Sequence, residues 1–305
     1  MPAPPLIFDR PLHRRRLTRA APGFHRADFL KRRAAEDLVI RIEAIRRRFP
    51  VAVDLGARTG AFADALAASE AAAKIDVLIQ TDLAAAMLKR GAGGVRLVAD
   101  EERLPFAPAS LDLAVSSLAL HWVNDLVGTL IQIRRALKPD GLMMISLLGG
   151  ATLTELRQSL LTAESEVRGG AAPRVSPFID AADGAELLRR AGFALPVVDT
   201  DTVTVRYDHP LKLLSDLRRM GETCALTGQN GGYLGREVLQ RACSGYNRGQ
   251  AGADGRVGAT FEIITLTGWA PHPDQQKPLR PGSAKMRLAD ALGAVEHDAG
   301  EKAGG

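Results

Sequence analysis

The residues best placed for chemistry begin with V-A-V-D-L-G-A-R-T-G at 51–60. Val51, Val53 and Leu55 alternate as at the end of a buried strand. Gly56 and Gly60 bracket a tight turn, and 61–68 continues as an alanine-rich helix. Such a turn brings backbone N–H groups and the Asp54 carboxylate toward a ligand. In an open α/β sheet it marks the first crevice at the carboxyl ends of the strands. A plain strand-to-helix reversal also uses glycine, so the acids that follow decide. Asp82 lies about 20 residues beyond the turn, after the apolar run 75–80. There a sheet-bound nucleoside offers its ribose hydroxyls to a carboxylate. Asp100, Glu101 and Glu102 follow a third apolar run, 95–98, where an acid can accept from an exocyclic amine, with Leu104, Pro105 and Phe106 beside the ring. Neither G-x-G-x-x-G nor G-x-x-x-x-G-K-[ST] occurs in the chain.

On the substrate side stands His121-Trp122, just past the fourth apolar run, 111–117. A pocket wall is its foremost role, ahead of direct proton transfer. Arg157 and Glu164, seven apart on a helix expected over 152–168, share a face that could grip a charged substrate or simply be solvated. An iron centre of two His and one carboxylate finds little provision: of His13, His25, His121, His209, His272 and His297, only His272 heads an H-x-D pair, with Asp274. Cys224 and Cys243 are too few for a disulfide framework and lack the spacing of a zinc site. No metal site is expected.

The elements that must position these residues alternate strand and helix. Strands are expected at 75–80, 95–98, 111–117 and 142–148, and helices at 83–89 and 125–137, the last stopped by Lys138-Pro139-Asp140-Gly141. That repetition predicts a parallel sheet. Further on, helices are expected at 181–191, 210–220 and 235–246, and long β-prone runs at 197–207 and 259–269. Residues 1–23 read as a loop, because prolines stand at 2, 4, 5, 11 and 22. A helix over 28–48 carries the apolar stripe Leu38, Ile42, Ile45 and Phe49 and lids or flanks the crevice.

The net charge is +5, but residues 1–50 hold 13 basic against 5 acidic residues, so all the net basicity precedes the glycine turn. A basic arm can meet nucleic acid, anionic lipid or an acidic protein. No nucleic-acid motif accompanies it, so nucleic acid is not expected. No apolar run is long enough to span a membrane, which leaves peripheral contact, and no secretory core appears at the N-terminus. A cytoplasmic location is expected. The organisation read from this is a basic arm at 1–27, a main domain at 28–270 with halves 51–148 and 151–270, and a flexible tail at 271–305 with a short helix near 284–292.

The ordered segments D54-L-G, T-D82, A-D100-x-x-x-L-P-F, L-D112-L-A-V-S-S and A-L-K-P-D-G141 resemble class I S-adenosylmethionine-dependent methyltransferases, with Arg58 in place of the middle glycine of their signature. The resemblance implies a Rossmann-like α/β fold of seven strands, mostly parallel with an antiparallel closing strand and helices on both faces. It implies S-adenosylmethionine as cofactor, held at Asp54, Gly56, Ala57, Gly60, Asp82, Leu83, Asp100, Glu101 and Ser117. A narrower pattern, S-S-L-x-L-H121-W-V-N-D, T-L-x-E-L-R157, G-G-x-x-P-x-V-S-P-F178, R-A-G-F193 and M-G-E222, is similar to the complex I assembly factor 5 family, related to the malonyl-carrier methyltransferases of the biotin pathway. That resemblance implies a protein acting on a complex I subunit, by methylation or arginine hydroxylation. Its alternatives are O-methylation of a malonyl-carrier protein or small molecule, and a non-catalytic assembly chaperone. His121, Trp122 and Arg157 are the candidate catalytic residues.

Overall fold

The computed structural model describes residues 6–91, 93–228, 232–275 and 293. The chain separates into two compact units, Met1–Pro271 and His272–Gly305. The helix expected near 284–292 lies outside the described residues.

The N-terminal segment departs from the loop expected of it. Residues Arg10–Ala20 form helix α1. Its start is chemically explicit: the Asp9 side chain accepts from the Leu12 N–H at 2.7 Å, and Pro11 sits in the first turn, where its missing N–H costs nothing. Helix α2 follows at Phe29–Ala44 and stops short of the expected 48, because Ile45 turns extended with ψ 125. Leu38 and Ile42 of the predicted stripe are fully buried, and Phe49 is buried beyond the helix end.

The first half then alternates β1 (Val51–Leu55), α3 (Ala61–Ala67), β2 (Val77–Asp82), α4 (Ala85–Leu88), β3 (Val95–Val98), β4 (Leu111–Ser117), α5 (Leu126–Ala136) and β5 (Leu137–Leu148). Strand β5 starts earlier than predicted: Lys138–Gly141 belongs to it, with Asp140 at φ 61, and so does not break it. The second half adds α6 (Thr154–Arg168), α7 (Ala181–Ala191), β6 (Ala194–Tyr207), α8 (Pro210–Met220), α9 (Arg236–Gln250) and β7 (Val257–Trp269).

These strands form one seven-stranded sheet in the order β3-β2-β1-β4-β5-β7-β6. Strands β1 to β5 pair in parallel, and β7 runs antiparallel to both β5 and β6. Alternation along each strand explains the layers. Ala52, Leu113, Val115, Leu142 and Met144 face α2 and α3 through Leu38, Phe62 and Leu66. Val53, Ala114, Met143 and Ile145 face α5 and α7 through Leu130, Ile133 and Leu188. A third cluster joins α6, α8 and α9 to the ends of β6 and β7, including Leu160, Leu213, Tyr246 and Phe261. Because β2 and β4 flank β1, the strand order reverses there, which sets a crevice at the carboxyl edge.

Candidate functional site

At that edge the structure gathers the residues singled out in the sequence. Asp54 is near the end of β1, Asp82 ends β2 with Leu83 after it, and Ser117 ends β4. Asp100 and Glu101 follow β3. The turn has positive φ at Gly56 (68), Arg58 (55) and Gly60 (91), so Arg58 sits in the left-handed region that favours glycine. The Ala57 N–H donates to the Thr81 carbonyl at 2.8 Å, tying the turn to β2.

The Arg58 side chain turns inward and is buried. Its Nη1 lies 2.8 Å from Asp82 Oδ2, with 2% and 0% of the two side chains exposed. Asp82 Oδ2 also accepts the Arg58 N–H at 3.0 Å, and Oδ1 accepts the Ala84 N–H at 2.8 Å. Both oxygens expected to face a ribose are therefore engaged. A second arginine comes from α1: Arg10 Nη2 reaches Asp100 Oδ1 at 2.6 Å and also bonds Glu101 Oε2. Burial would lower both guanidinium pKa values, but the facing carboxylates outweigh it and hold them above the ordinary value.

A third cation, Lys31 of α2, donates from Nζ to the Gly56 carbonyl at 2.9 Å, the Ser117 carbonyl at 2.5 Å and Ser117 Oγ at 3.1 Å. Burial drives its pKa down, and burial drives that of the neighbouring Asp54 up. Neither Asp54 carboxylate oxygen has a hydrogen-bond partner, an orphaned acceptor pair at the heart of the crevice.

The space above the glycine turn is filled. A Cβ on Gly56 would lie 2.3 Å from Ala119 Cβ, 3.4 Å from Arg58 Nη1 and 3.5 Å from Glu101 Oε1. Beside it remains a cavity of about 40 Å³, walled by Phe24, Leu118, Phe178, Met220 and Phe261, with Asp28, Lys31, Arg58 and Glu222 as its charged lining. Pockets that enclose drug-sized ligands run to roughly 300–1,000 Å³, so the crevice is closed to such a ligand in this conformation.

His121 and Trp122 occupy a short turn after β4, and both point at one residue. Glu222 Oε2 lies 2.9 Å from His121 Nε2 and accepts from Trp122 Nε1 at 2.7 Å. Burial alone would raise the Glu222 pKa, but His121, Arg58 and Trp122 together hold it below the usual carboxylate range. Trp122 is further clamped by the stacked His13 ring at 4.4 Å and the edge of Phe8 at 5.2 Å.

Arg157 stands apart from this group. It donates to the Gly150 and Thr152 carbonyls at 3.5 and 3.4 Å and does not line the cavity. Glu164, its expected companion, is buried and bonds Arg168, Arg174 and the Ala172 N–H, so the charged grip read from their spacing does not form. His272 Nδ1 lies 3.7 Å from Asp274 Oδ2. Among the described residues no group of three or more His, Cys, Asp or Glu is arranged as metal ligands, and no helix is long and apolar enough to cross a membrane.

Three neighbours of the site were given no role by the sequence. Lys31 sits within the apolar stripe Ala27, Leu30, Ala34, Ala35 and Leu38, where a lysine at helical spacing is the anomaly that marks it. Glu222 appears in the M-G-E222 segment, but its meeting with His121 across 101 positions of sequence follows no local pattern. Arg10 lay in a segment read as a loop.

Comparison with known proteins finds relatives that span most of the chain. The family profile described as a methyltransferase domain matches residues 53–145. The chain is 40% identical over 298 residues to human "Arginine-hydroxylase NDUFAF5, mitochondrial", covering 95% of this chain and 84% of that one. It is 37% identical over 301 residues to the Danio rerio protein of the same name, covering 96% and 92%. It is 33% identical over 309 residues to the malonyl-[acyl-carrier protein] O-methyltransferase of Methylovorus sp., covering 97% of each. Among solved structures, the YcgJ protein of Bacillus subtilis aligns with TM-score 0.54 at 15% identity, over 78% of this chain and 98% of that one, a likeness of fold. The vertebrate relatives are named mitochondrial, and this overturns the expectation of a cytoplasmic location.

Proposed function

The chain belongs to the complex I assembly factor 5 family, and on that premise we propose that it binds S-adenosylmethionine at the carboxyl edge of β1 to β4 and modifies an arginine side chain of a complex I subunit. The observation that carries this reading is the 40% identity to an arginine hydroxylase across 95% of the chain. The donor set fits the cofactor in kind. Asp82 is an acceptor for ribose hydroxyls, Glu101 and Asp100 for an exocyclic amine, and the orphaned Asp54 for an ammonium group. S-adenosylmethionine supplies, when bound, a methyl group on a sulfonium centre.

The rest is done by the chain. Glu222 lines the cavity as a carboxylate held in place by two donors, so a guanidinium entering there would meet a charge-assisted acceptor. Asp28 supplies a second acid, and Phe178, Met220 and Phe261 give an apolar passage for the methylene stem of an arginine. His121 and Trp122 orient Glu222 and exclude water. Mass spectrometry of complex I subunits from cells with the gene, without it, and with Glu222→Gln tests this. An arginine modification present only with the intact gene is expected, and its mass identifies a methyl group or an oxygen atom. Identical subunits in all three strains refute the reading.

A second reading has its own support. Full-length likeness to a malonyl-carrier methyltransferase, and cations Lys31 and Arg58 at the cavity, suit a carboxylate-bearing acceptor. Methyl-ester formation on a purified malonyl-carrier protein would establish it. A purely non-catalytic assembly role predicts that Glu222→Gln supports complex I assembly as well as the wild type does.

A further inference from the structure

The acids that would hold the cofactor are already held by the chain's own cations. Arg58 occupies Asp82, Arg10 occupies Asp100 and Glu101, and the remaining cavity is far too small for a nucleoside. Arg10 belongs to a segment fastened at several points. The Phe8 N–H donates to Asn124 Oδ1 at 2.8 Å, the Asp9 N–H to the Ala225 carbonyl at 2.8 Å, and the Thr227 N–H to the Ile7 carbonyl at 2.8 Å. Arg16 donates to the Thr223 carbonyl at 2.6 Å. Leu17, Ala20 and Phe24 pack with Ala84 and Met87, directly behind Asp82.

We infer that residues 6–26 form a latch, with Arg10 as its bolt, that holds the cofactor crevice shut and must be released for S-adenosylmethionine to enter. The inference rests on the cofactor reading above. Release follows from space and contact: Arg10 already holds Asp100 Oδ1 and Glu101 Oε2, and the cavity left beside the turn admits no nucleoside. The same movement withdraws His13 and Phe8 from Trp122, so admission of the cofactor also bares the wall of the substrate cavity. A ligand that binds only the open form pays for the closed fraction. With the crevice open about 1–10% of the time, unlatching tightens apparent affinity about 10- to 100-fold.

The test uses S-adenosylhomocysteine and the full chain, as wild type, Arg10→Gln and Phe8→Ala. The last loosens the same segment without touching an acid, and so stands in should Arg10→Gln fail to fold. Calorimetry gives affinity, and limited trypsin digestion gives release, since Arg14, Arg15 and Arg19 are exposed on α1 but resist cleavage while it stays helical. Expected are affinities 10- to 100-fold tighter in the variants, fast cleavage at these arginines without ligand, and acceleration of wild-type cleavage by ligand. Weaker binding in the variants with ligand protection of α1 overturns the latch and makes Arg10 part of the cofactor wall. Normal binding with unchanged cleavage overturns the latch alone. No binding by any of the three chains overturns the cofactor reading and the latch with it.

Discussion

Replacing Arg58 with glycine separates what this residue does for the fold from what it withholds from a ligand. The backbone at position 58 has φ 55, which a non-glycine residue adopts at a cost of about 1–2 kcal/mol, and glycine removes that cost. Against this stands a buried ion pair of 2.8 Å, with Asp82 wholly buried. Removing one partner of such a pair costs roughly 3–5 kcal/mol. Asp82 retains the N–H groups of residues 58 and 84, and water can enter the vacated volume, so the lower end applies. The net is a loss of about 1–3 kcal/mol, or a fall in Tm of roughly 2–12 °C at 2–4 °C per kcal/mol.

Affinity should move the other way. Asp82 becomes a charge-assisted acceptor without a resident cation, worth about 1.5–3 kcal/mol to a hydroxyl donor, or roughly 10- to 150-fold in Kd. Thermal unfolding without ligand and calorimetric titration with S-adenosylhomocysteine measure the two effects. Arg58→Lys, which retains charge but not the forked geometry, should fall between. A parallel loss of stability and affinity in Arg58→Gly would refute the argument, because it would mean that Arg58 holds the ligand and does not exclude it.

Three further outcomes follow from other parts of the structure. Glu222→Gln retains an acceptor for Trp122 but removes the charge, so product formation should collapse while the Kd for S-adenosylhomocysteine stays within about threefold, a change of well under 1 kcal/mol; an unchanged rate in a turnover assay contradicts the role given to Glu222. His13 is buried against Trp122, and burial followed by Arg58 and Arg10 holds its pKa well below 6.5. The unfolded chain therefore binds the extra proton first, and the His13 contribution should be full above about pH 6.5 and fall as pH drops toward the lowered folded value, by at most about 1.4 kcal/mol per unit; in denaturant titrations the wild type should lose more stability than His13→Phe over that interval. Leu38→Ala empties a fully buried position between α2 and the sheet and should cost about 2–5 kcal/mol in chemical denaturation, with ligand affinity preserved in the folded fraction.

The readable parts of the fold were those whose determinants lie close together in sequence. Strand β4 coincides with the run L-D-L-A-V-S-S, and α7 and α8 match their expected bounds, because local periodicity and the glycines at 192 and 221 specify them. Helix α1 was missed because five prolines were counted as loop signals, although Asp9 followed by Pro11 is a helix-start pattern. The bounds of β5 were missed because Lys138–Gly141 looks like a breaker, while the chain carries it as an irregularity between the Leu137 and Leu142 pairings with β4 and bonds Asp140 and Gly141 to Ala270. At the site, the acids were legible from their places at strand ends, whereas their cations were not. Which carboxylate Arg10 or Arg58 meets is decided by tertiary packing, and that has no one-dimensional signature.

The closed crevice also has an electrostatic logic. Asp54, Asp82 and Glu101 are each at most 3% exposed, and three lone carboxylates at that depth would not remain ionised. Lys31, Arg58 and Arg10 supply three opposing charges, two in direct contact and Lys31 next to Asp54. Hydrogen-bond coverage, however, is uneven. Asp82 and Glu101 have donors, Asp54 has none, and Lys31 spends its protons on Gly56 and Ser117. Asp54 is thus neutralised at a distance without being satisfied, and a donor that reached it would gain a hydrogen bond that the closed form lacks. A cationic ligand that displaces Arg10 and Arg58 returns part of the positive charge they provided and adds the bond at Asp54. On the proposed cofactor reading, a ligand whose ammonium group reaches Asp54 is therefore expected to favour the open form more than an uncharged nucleoside does.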